Sequence, residues 1–391
     1  MSRLLTMLFG RLPIGWLQLT HSRARFAAAL AGVSFATLLV FMQLGILGAL
    51  NQSTIAPYDN FRADIMISSE DANTLTDGSN VARTRMFQAL GVAGVADAAP
   101  VFIGNLMLQL PDGSSSTLQT FGMNVADARF AMPDVADQMA LLTQENHALI
   151  DTATRGIPAA AFDGLIAGEP FAFEIGGTTF TAVGTLEVGG GFSADGTLFV
   201  SEQTFLRAFG NRTAGAPNHI LVNVEPGQDP ELVVERLRKA LPLDAVKIQT
   251  LGGAAAADLA YQTTERPTGI IFGFGVVIGI IVGIVIVYQV LSTDVADHLK
   301  EYATFKAMGY GQKFFLGIVL EEALVLAVFG FIPGFLVSMG LYAGMSAVTG
   351  LPVAMTLDRI VLVFFGTLAA CALSGAIATR RLAAADPADL F

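Results

Sequence analysis

Residues Asp294–Phe315 read DVADHLKEYATFKAMGYGQKFF, a charged stretch that follows 27 residues without a charge, Pro267–Thr293, and precedes another long apolar run. A charged helix between two apolar spans must face water or protein on one side of a membrane. Ala296, Leu299, Glu301, Ala303, Lys306, Ala307 and Met308 are mostly good helix formers, and Val295, Leu299, Tyr302 and Phe305 recur at helical spacing. Gly309 offers the left-handed conformation that ends helices, and Gly311 loosens the exit. From pattern alone two readings stay open, a solvated loop helix and a docking surface for a cytosolic partner.

Working outward, the 391 residues leave room for two or three domains. A hydrophobic content of 53% with 14% charge is too apolar for an ordinary soluble protein. Four long uncharged runs account for it: Phe26–Tyr58, Pro267–Thr293, Ala323–Leu357 and Ile360–Thr379. Each can hold the ~20 apolar residues that cross a hydrocarbon core, so the sequence predicts an integral membrane protein. The first run is longer than a cleaved signal core and is read as a retained span.

Charge sets the expected orientation. Residues 1–25 carry Arg3, Arg11, Arg23 and Arg25 and no acid, whereas Asn51–Arg266 carries 12 Lys and Arg against 25 Asp and Glu. Lys300, Lys306 and Lys313 lie in the charged stretch and Arg380–Arg381 follow the last run; Arg359 is the exception. The positive-inside rule then predicts cytoplasmic N- and C-termini and an acidic extracytoplasmic domain, a poor ligand for nucleic acid. One cysteine, Cys371, excludes a disulfide framework within the chain.

The expected layout is α-helical, with four transmembrane helices and a large α+β periplasmic domain inserted between helices 1 and 2. Residues 1–25 form an amphipathic interfacial segment, 26–50 the first span, and 51–266 the domain. The second span covers 267–293, the charged stretch 294–313 and the third span 314–339, bent at Pro333. A connection at 340–358, the fourth span at 359–379 and a tail at 380–391 complete it. In the domain, β-rich runs flank helices at Val81–Leu90 and Asp229–Leu241, and about 125–215 reads as an insertion between two halves of one sheet.

Two features inside the spans carry candidate roles. Gly275, Gly279 and Gly283 at four-residue spacing predict a close helix–helix seam, within the chain or across a dimer. Glu321 and Glu322 are costly in a span; they either bond to basic residues near the cytosolic interface or form a proton or cation site. No GxxxxGK[ST] loop, HExxH or CxxC occurs, and His21, His147, His219 and His298 are scattered. Neither a catalytic site nor a metal site is expected.

This plan, with HLKEYATFKAMGYGQKFF, resembles the MacB/FtsX-type ABC transporter permeases, and within them the DevC branch. The residues that carry it are Gly15–Gly45, Ala63–Ser69, Val287–Gly311, Phe329–Phe335 and Asp386–Phe391. The resemblance implies a homodimer in the bacterial inner membrane with two copies of a separate, DevA-like ABC ATPase, which binds the ATP and magnesium; this chain needs no cofactor. It implies a DevB-like periplasmic adaptor, a TolC-like outer-membrane channel, contact with membrane lipids, and export of lipid, glycolipid or other hydrophobic cargo. It also implies that Glu301, Tyr302, Ala303, Thr304, Phe305, Lys306, Ala307, Met308, Gly309 and Tyr310 contact the ATPase. An FtsX-like regulator that activates a periplasmic partner without transport is the alternative.

Overall fold

The computed structural model of the chain describes residues 14–109, 115–157, 159–298, 301, 304–306 and 308–384. The expected interfacial segment before residue 14, Leu299, Lys300, Tyr302, Ala303, Ala307 and the terminal Asp386–Phe391 lie outside them. The described residues divide into two compact units. One holds Ala49–Gly269 together with Ser346–Pro352, and the other holds the helical remainder.

The helical unit supplies four helices long and apolar enough to cross a membrane. The first span runs Arg23–Ile55, the second Pro267–Asp297, the third Gln312–Thr349 and the fourth Leu357–Ala384. A shorter helix, Ile14–His21, precedes them. The third span corrects the sequence reading, because it stays helical through Thr349 and leaves a short connection where 340–358 was expected. Gly340 and Gly344 disfavour a helix in water, but without water every backbone group must be bonded internally, which favours the helix. Pro333 sits inside that helix; three residues earlier, the Gly330 carbonyl accepts from Ser34 Oγ of the first span at 2.8 Å, as neighbouring Ser side chains do at prolines in spans.

The other unit is an α/β domain built on one nine-stranded sheet. Its strands are β1 (Ile65–Ser69), β2 (Val95–Gln109), β3 (Ser115–Met123), β4 (His147–Asp151), β5 (Phe171–Ile175), β6 (Thr178–Leu186), β7 (Gly196–Ser201), β8 (His219–Val224) and β9 (Val246–Thr250). The order is β5-β6-β4-β7-β3-β2-β8-β1-β9. Residues 125–215 are inserted in the chain between β3 and β8, yet β2 pairs directly with β8. The inserted strands therefore extend the sheet beyond β3 instead of parting it, through the parallel β3–β7 pair. The longer helices that pack on the sheet are α1 (Thr84–Leu90), α2 (Glu202–Ala208), α3 (Pro230–Ala240) and α4 (Leu251–Thr264). Strand alternation divides β1 between two cores. Ile65 and Ile67 join Met86 of α1 and Val233 and Leu237 of α3, while Met66 joins Phe121, Phe199 and Ala254 of α4.

Buried polar bonds tie the two ends of the domain together. Asp258 on α4 accepts from the Tyr58 hydroxyl at 3.0 Å and from the Leu75 amide at 2.9 Å through the same oxygen. Burial, more than any neighbouring charge, raises the pKa of both Tyr58 and Asp258. His219 bridges Ser68 Oγ and the Leu75 carbonyl, each at 2.8 Å. Nε2–H donates to the carbonyl, which can only accept, and burial favours the neutral ring, whose Nδ1 accepts the Ser68 hydroxyl. Burial lowers its pKa below the ordinary 6.5. The unfolded chain then takes up a proton that the folded one refuses, and stability falls as pH drops below about 6.5, at up to about 1.4 kcal/mol per pH unit. Thermal unfolding of the full chain at pH 7.5 and 5.5 checks this. His219→Gln should flatten the difference, and an unchanged slope would rule His219 out as its source.

Candidate functional site

The described part of the charged stretch is a helix end with a defined stop. Gly309 takes φ +94°. Its N–H bonds the Lys306 carbonyl at 3.0 Å and the Tyr310 N–H bonds the Phe305 carbonyl at 3.1 Å. These two bonds make a Schellman motif, and the hydrophobic contact that accompanies one is present as Phe305 against Tyr310, ring centroids 5.8 Å apart. Tyr310 also packs on Phe314 at 4.4 Å. A Cβ at this φ costs about 1–2 kcal/mol. Gly309→Ala should therefore speed amide exchange at Met308 and Tyr310, whereas Gly311→Ala, with open space around it, should not. Equal exchange in both variants would contradict the assignment.

The stretch does not begin as a separate helix: Asp294–Asp297 continues the second span. Around its described residues the helical unit forms a bracket. Val295, Phe315, Ile318 and Val319 make a buried cluster against which Phe305, Phe314 and Ile14 pack. Gln18 on the short N-terminal helix donates from Nε2 to Glu301 Oε2 at 3.1 Å. Arg25 pairs with Asp297 at 2.5 Å, but at 61% and 40% exposure that pair adds little energy. Glu301, expected to face a partner, is thus held within its own chain. Thr304, Phe305, Lys306 and Met308 lie on the same capped segment, while Tyr302, Ala303 and Ala307 lie outside the described residues.

Glu321 and Glu322 are 1% and 0% exposed. Glu321 accepts from the Trp16 backbone N–H at 3.3 Å, in the first turn of the Ile14–His21 helix, where such amides have no intrahelical acceptor. A Cβ on Gly15 would stand 2.9 Å from both Glu322 Cγ and the Ile318 carbonyl. Glycine there lets the N-terminal helix rest directly on the third span. The carboxylates therefore meet an element that the sequence reading did not connect with them.

The glycine stripe finds its partner inside the chain. Gly283, Gly279 and Gly275 run antiparallel along Ala36, Val40 and Gln43 of the first span. A Cβ would meet Ala36 at 3.2 Å, Val40 at 3.6 Å and Gln43 at 2.5 Å, so the seam is closest at Gly275 and has room to spare at Gly279.

In the domain, a cavity of about 520 Å³ has a mixed lining, in which Leu50, Leu75 and Phe192 stand beside hydroxyl and amide side chains such as Ser53, Thr76, Gln119 and Gln262, with Arg266 and Asp258. Such a lining solvates a polar group. Among the described residues no three His, Cys, Asp or Glu side chains come together as a metal site.

Comparison with known proteins assigns the family. The FtsX-like permease C-terminal model matches residues 273–387, and the MacB-like periplasmic core domain model matches residues 26–240, more than half of the chain. No curated protein matches it. Among solved structures, the extracellular domain of the ABC-type transporter YknZ from Gram-positive bacteria is 12% identical, with a TM-score of 0.33 over 48% of this chain and 98% of that one. The periplasmic region of MacB from Actinobacillus actinomycetemcomitans is 15% identical, with a TM-score of 0.33 over 54% of this chain and 96% of that one. Scores at that level carry no statement about this chain's function. The two family models together decide the matter: the chain is a membrane protein that belongs to the MacB/FtsX-like permeases, the membrane components of ABC transporters.

Proposed function

We propose that the chain is the permease subunit of an ABC exporter of the DevC type in the bacterial inner membrane. A separate, DevA-like ATPase binds ATP and magnesium and docks on the Glu301–Tyr310 stretch. Its closure moves the membrane helices and, through them, the α/β domain, which drives cargo through a DevB-like adaptor and a TolC-like channel. The observation that carries this reading is the bracketed, capped state of the charged stretch. A surface that passes force must not yield, and this one is stopped by Gly309 and packed through Phe305 against Phe315 and Ile318. The absence of a phosphate-binding loop from the sequence supports an ATPase on another chain.

A homodimer is part of the reading. One face of the second span leaves Phe274, Ile278, Ile281 and Val285 more than half exposed, a face for lipid and a second copy. The domain cavity, with apolar groups beside hydroxyls and amides, supports cargo with a polar head, such as a lipid or glycolipid, over a wholly apolar one.

The test reverses charge on the docking stretch. In cells carrying the complete complex, Lys306→Glu and Glu301→Lys should each cut lipid release into the medium at least tenfold, with the chain still expressed and membrane-inserted. Gln18→Ala removes the bond to Glu301 without changing the charge and separates the bracket from the docking surface. Normal release by both charge-reversed variants would contradict the docking assignment.

A further inference from the structure

Arg155 lies just after β4 and is tied to the sheet through its backbone. Its N–H donates to the Asp195 carbonyl at 2.9 Å, and its carbonyl accepts from Ser116 Oγ at 2.7 Å. Asp195, at the head of β7, is fixed in turn by the Thr117 amide, which donates to its Oδ2 at 2.8 Å. From this base the guanidinium reaches out in two directions. Nη2 donates to the Ala194 carbonyl at 2.8 Å and to the Gly191 carbonyl, and lies 3.1 Å from Asp195 Oδ1 as an ion pair. Nη1 donates to the Thr349 carbonyl at 2.8 Å, across 194 positions of sequence.

Thr349 is the last residue of the third-span helix. The last carbonyls of a helix have no acceptor role inside it and carry the negative end of its dipole, so a cation that donates hydrogen bonds is their natural partner. Gly350 follows with φ +63° and bonds the Ser346 carbonyl at 2.8 Å. A Cβ there would stand 2.5 Å from both Arg155 Cγ and Cδ. Glycine at this position leaves the space that the arginine stem occupies. A planar fork with several donors can engage four oxygens at once; a lysine cannot. The arginine is 25% exposed and its aspartate 30%, so the carbonyl bonds matter more than the screened ion pair.

We propose that Arg155 is a clamp that fastens the connection between the third and fourth spans to the α/β domain. The domain is continuous with the helical unit near Ala49 and Gly269, and the clamp makes Ser346–Pro352 a further attachment. Arg155 is then a positioning residue for the coupling described above, and this role rests on that reading.

The experiment follows amide exchange in the full chain, with and without its ATPase, for wild type, Arg155→Gln, Arg155→Lys and Gly350→Ala. Without ATPase, Arg155→Gln and Gly350→Ala should speed exchange at 346–352 at least tenfold and leave β1, β8 and β9 unchanged, with Arg155→Lys intermediate. Unchanged exchange at 346–352 overturns the clamp, whatever the chain's function. With ATPase, ATP should change exchange in the wild-type domain. That response should be lost in Arg155→Gln and Gly350→Ala and partly regained in Arg155→Lys, while basal hydrolysis persists. A full response in Arg155→Gln overturns the coupling role. A wild-type domain that ignores ATP overturns the exporter reading and the coupling role together, and the first arm still decides the clamp.

Discussion

Gly334→Leu and Gly330→Leu should each remove most of the folded chain from the membrane. A Cβ on Gly334 would stand 2.7 Å from the Ser34 backbone oxygen and 3.0 Å from Thr37 Cβ; one on Gly330 would stand 2.6 Å from Val33 Cβ. At Gly334 the obstacle is backbone, so no rotamer change relieves it. Forcing the helices apart would also break the Ser34–Gly330 hydrogen bond. Overpacking by small groups costs about 1–3 kcal/mol, and a whole leucine exceeds that against a total stability of about 5–15 kcal/mol. Gly340 lies on the same helix and a Cβ there meets nothing within 4 Å, so Gly340→Leu is the control. Yield of monodisperse protein after detergent extraction is the readout. Equal yield from Gly334→Leu and Gly340→Leu would show that the seam is not close.

Asp151→Ala should be the most damaging single change in the α/β domain. Asp151 is fully buried and accepts from the amides of Ala153 at 2.9 Å, Val188 at 3.2 Å and Gly189 at 2.8 Å. Burial raises its pKa and these amides oppose the rise. Alanine would leave three partly buried amides without this acceptor, at up to about 1–3 kcal/mol each. A loss of roughly 3 kcal/mol or more corresponds to about 6–12 °C in Tm for a domain of this size. Asp151→Asn keeps one acceptor oxygen and should fall between. The Gly189–Gly191 turn it holds also supplies a carbonyl to Arg155, so Asp151→Ala should loosen the clamp as well. A Tm within 1–2 °C of wild type would refute the account of Asp151.

The spans were legible because lipid demands long uncharged runs, and most strands because β1, β8 and their neighbours are short runs rich in apolar and β-branched residues. Helix α4 was missed because Gly252 and Gly253 look like a turn. Thr250, which caps it by accepting from the Gly253 amide at 3.2 Å, was the readable signal. The far end of the third span was missed for the same kind of reason: Gly340 and Gly344 argue for a loop only where water competes for the backbone. Gly309 was readable as a helix stop because a Schellman cap is local. The rest of the site was not. The Gln18–Glu301 and Trp16–Glu321 contacts span 283 and 305 positions, and no spacing rule in the sequence encodes a contact that tertiary packing alone creates.

The most direct test of the permease reading is ATP hydrolysis by the purified full chain, alone and with a DevA-like ABC ATPase. The account predicts no hydrolysis by the chain alone, stable association with the ATPase, and loss of that association in Lys306→Glu and Glu301→Lys. Hydrolysis by the chain alone, or wild-type association in both variants, would contradict it.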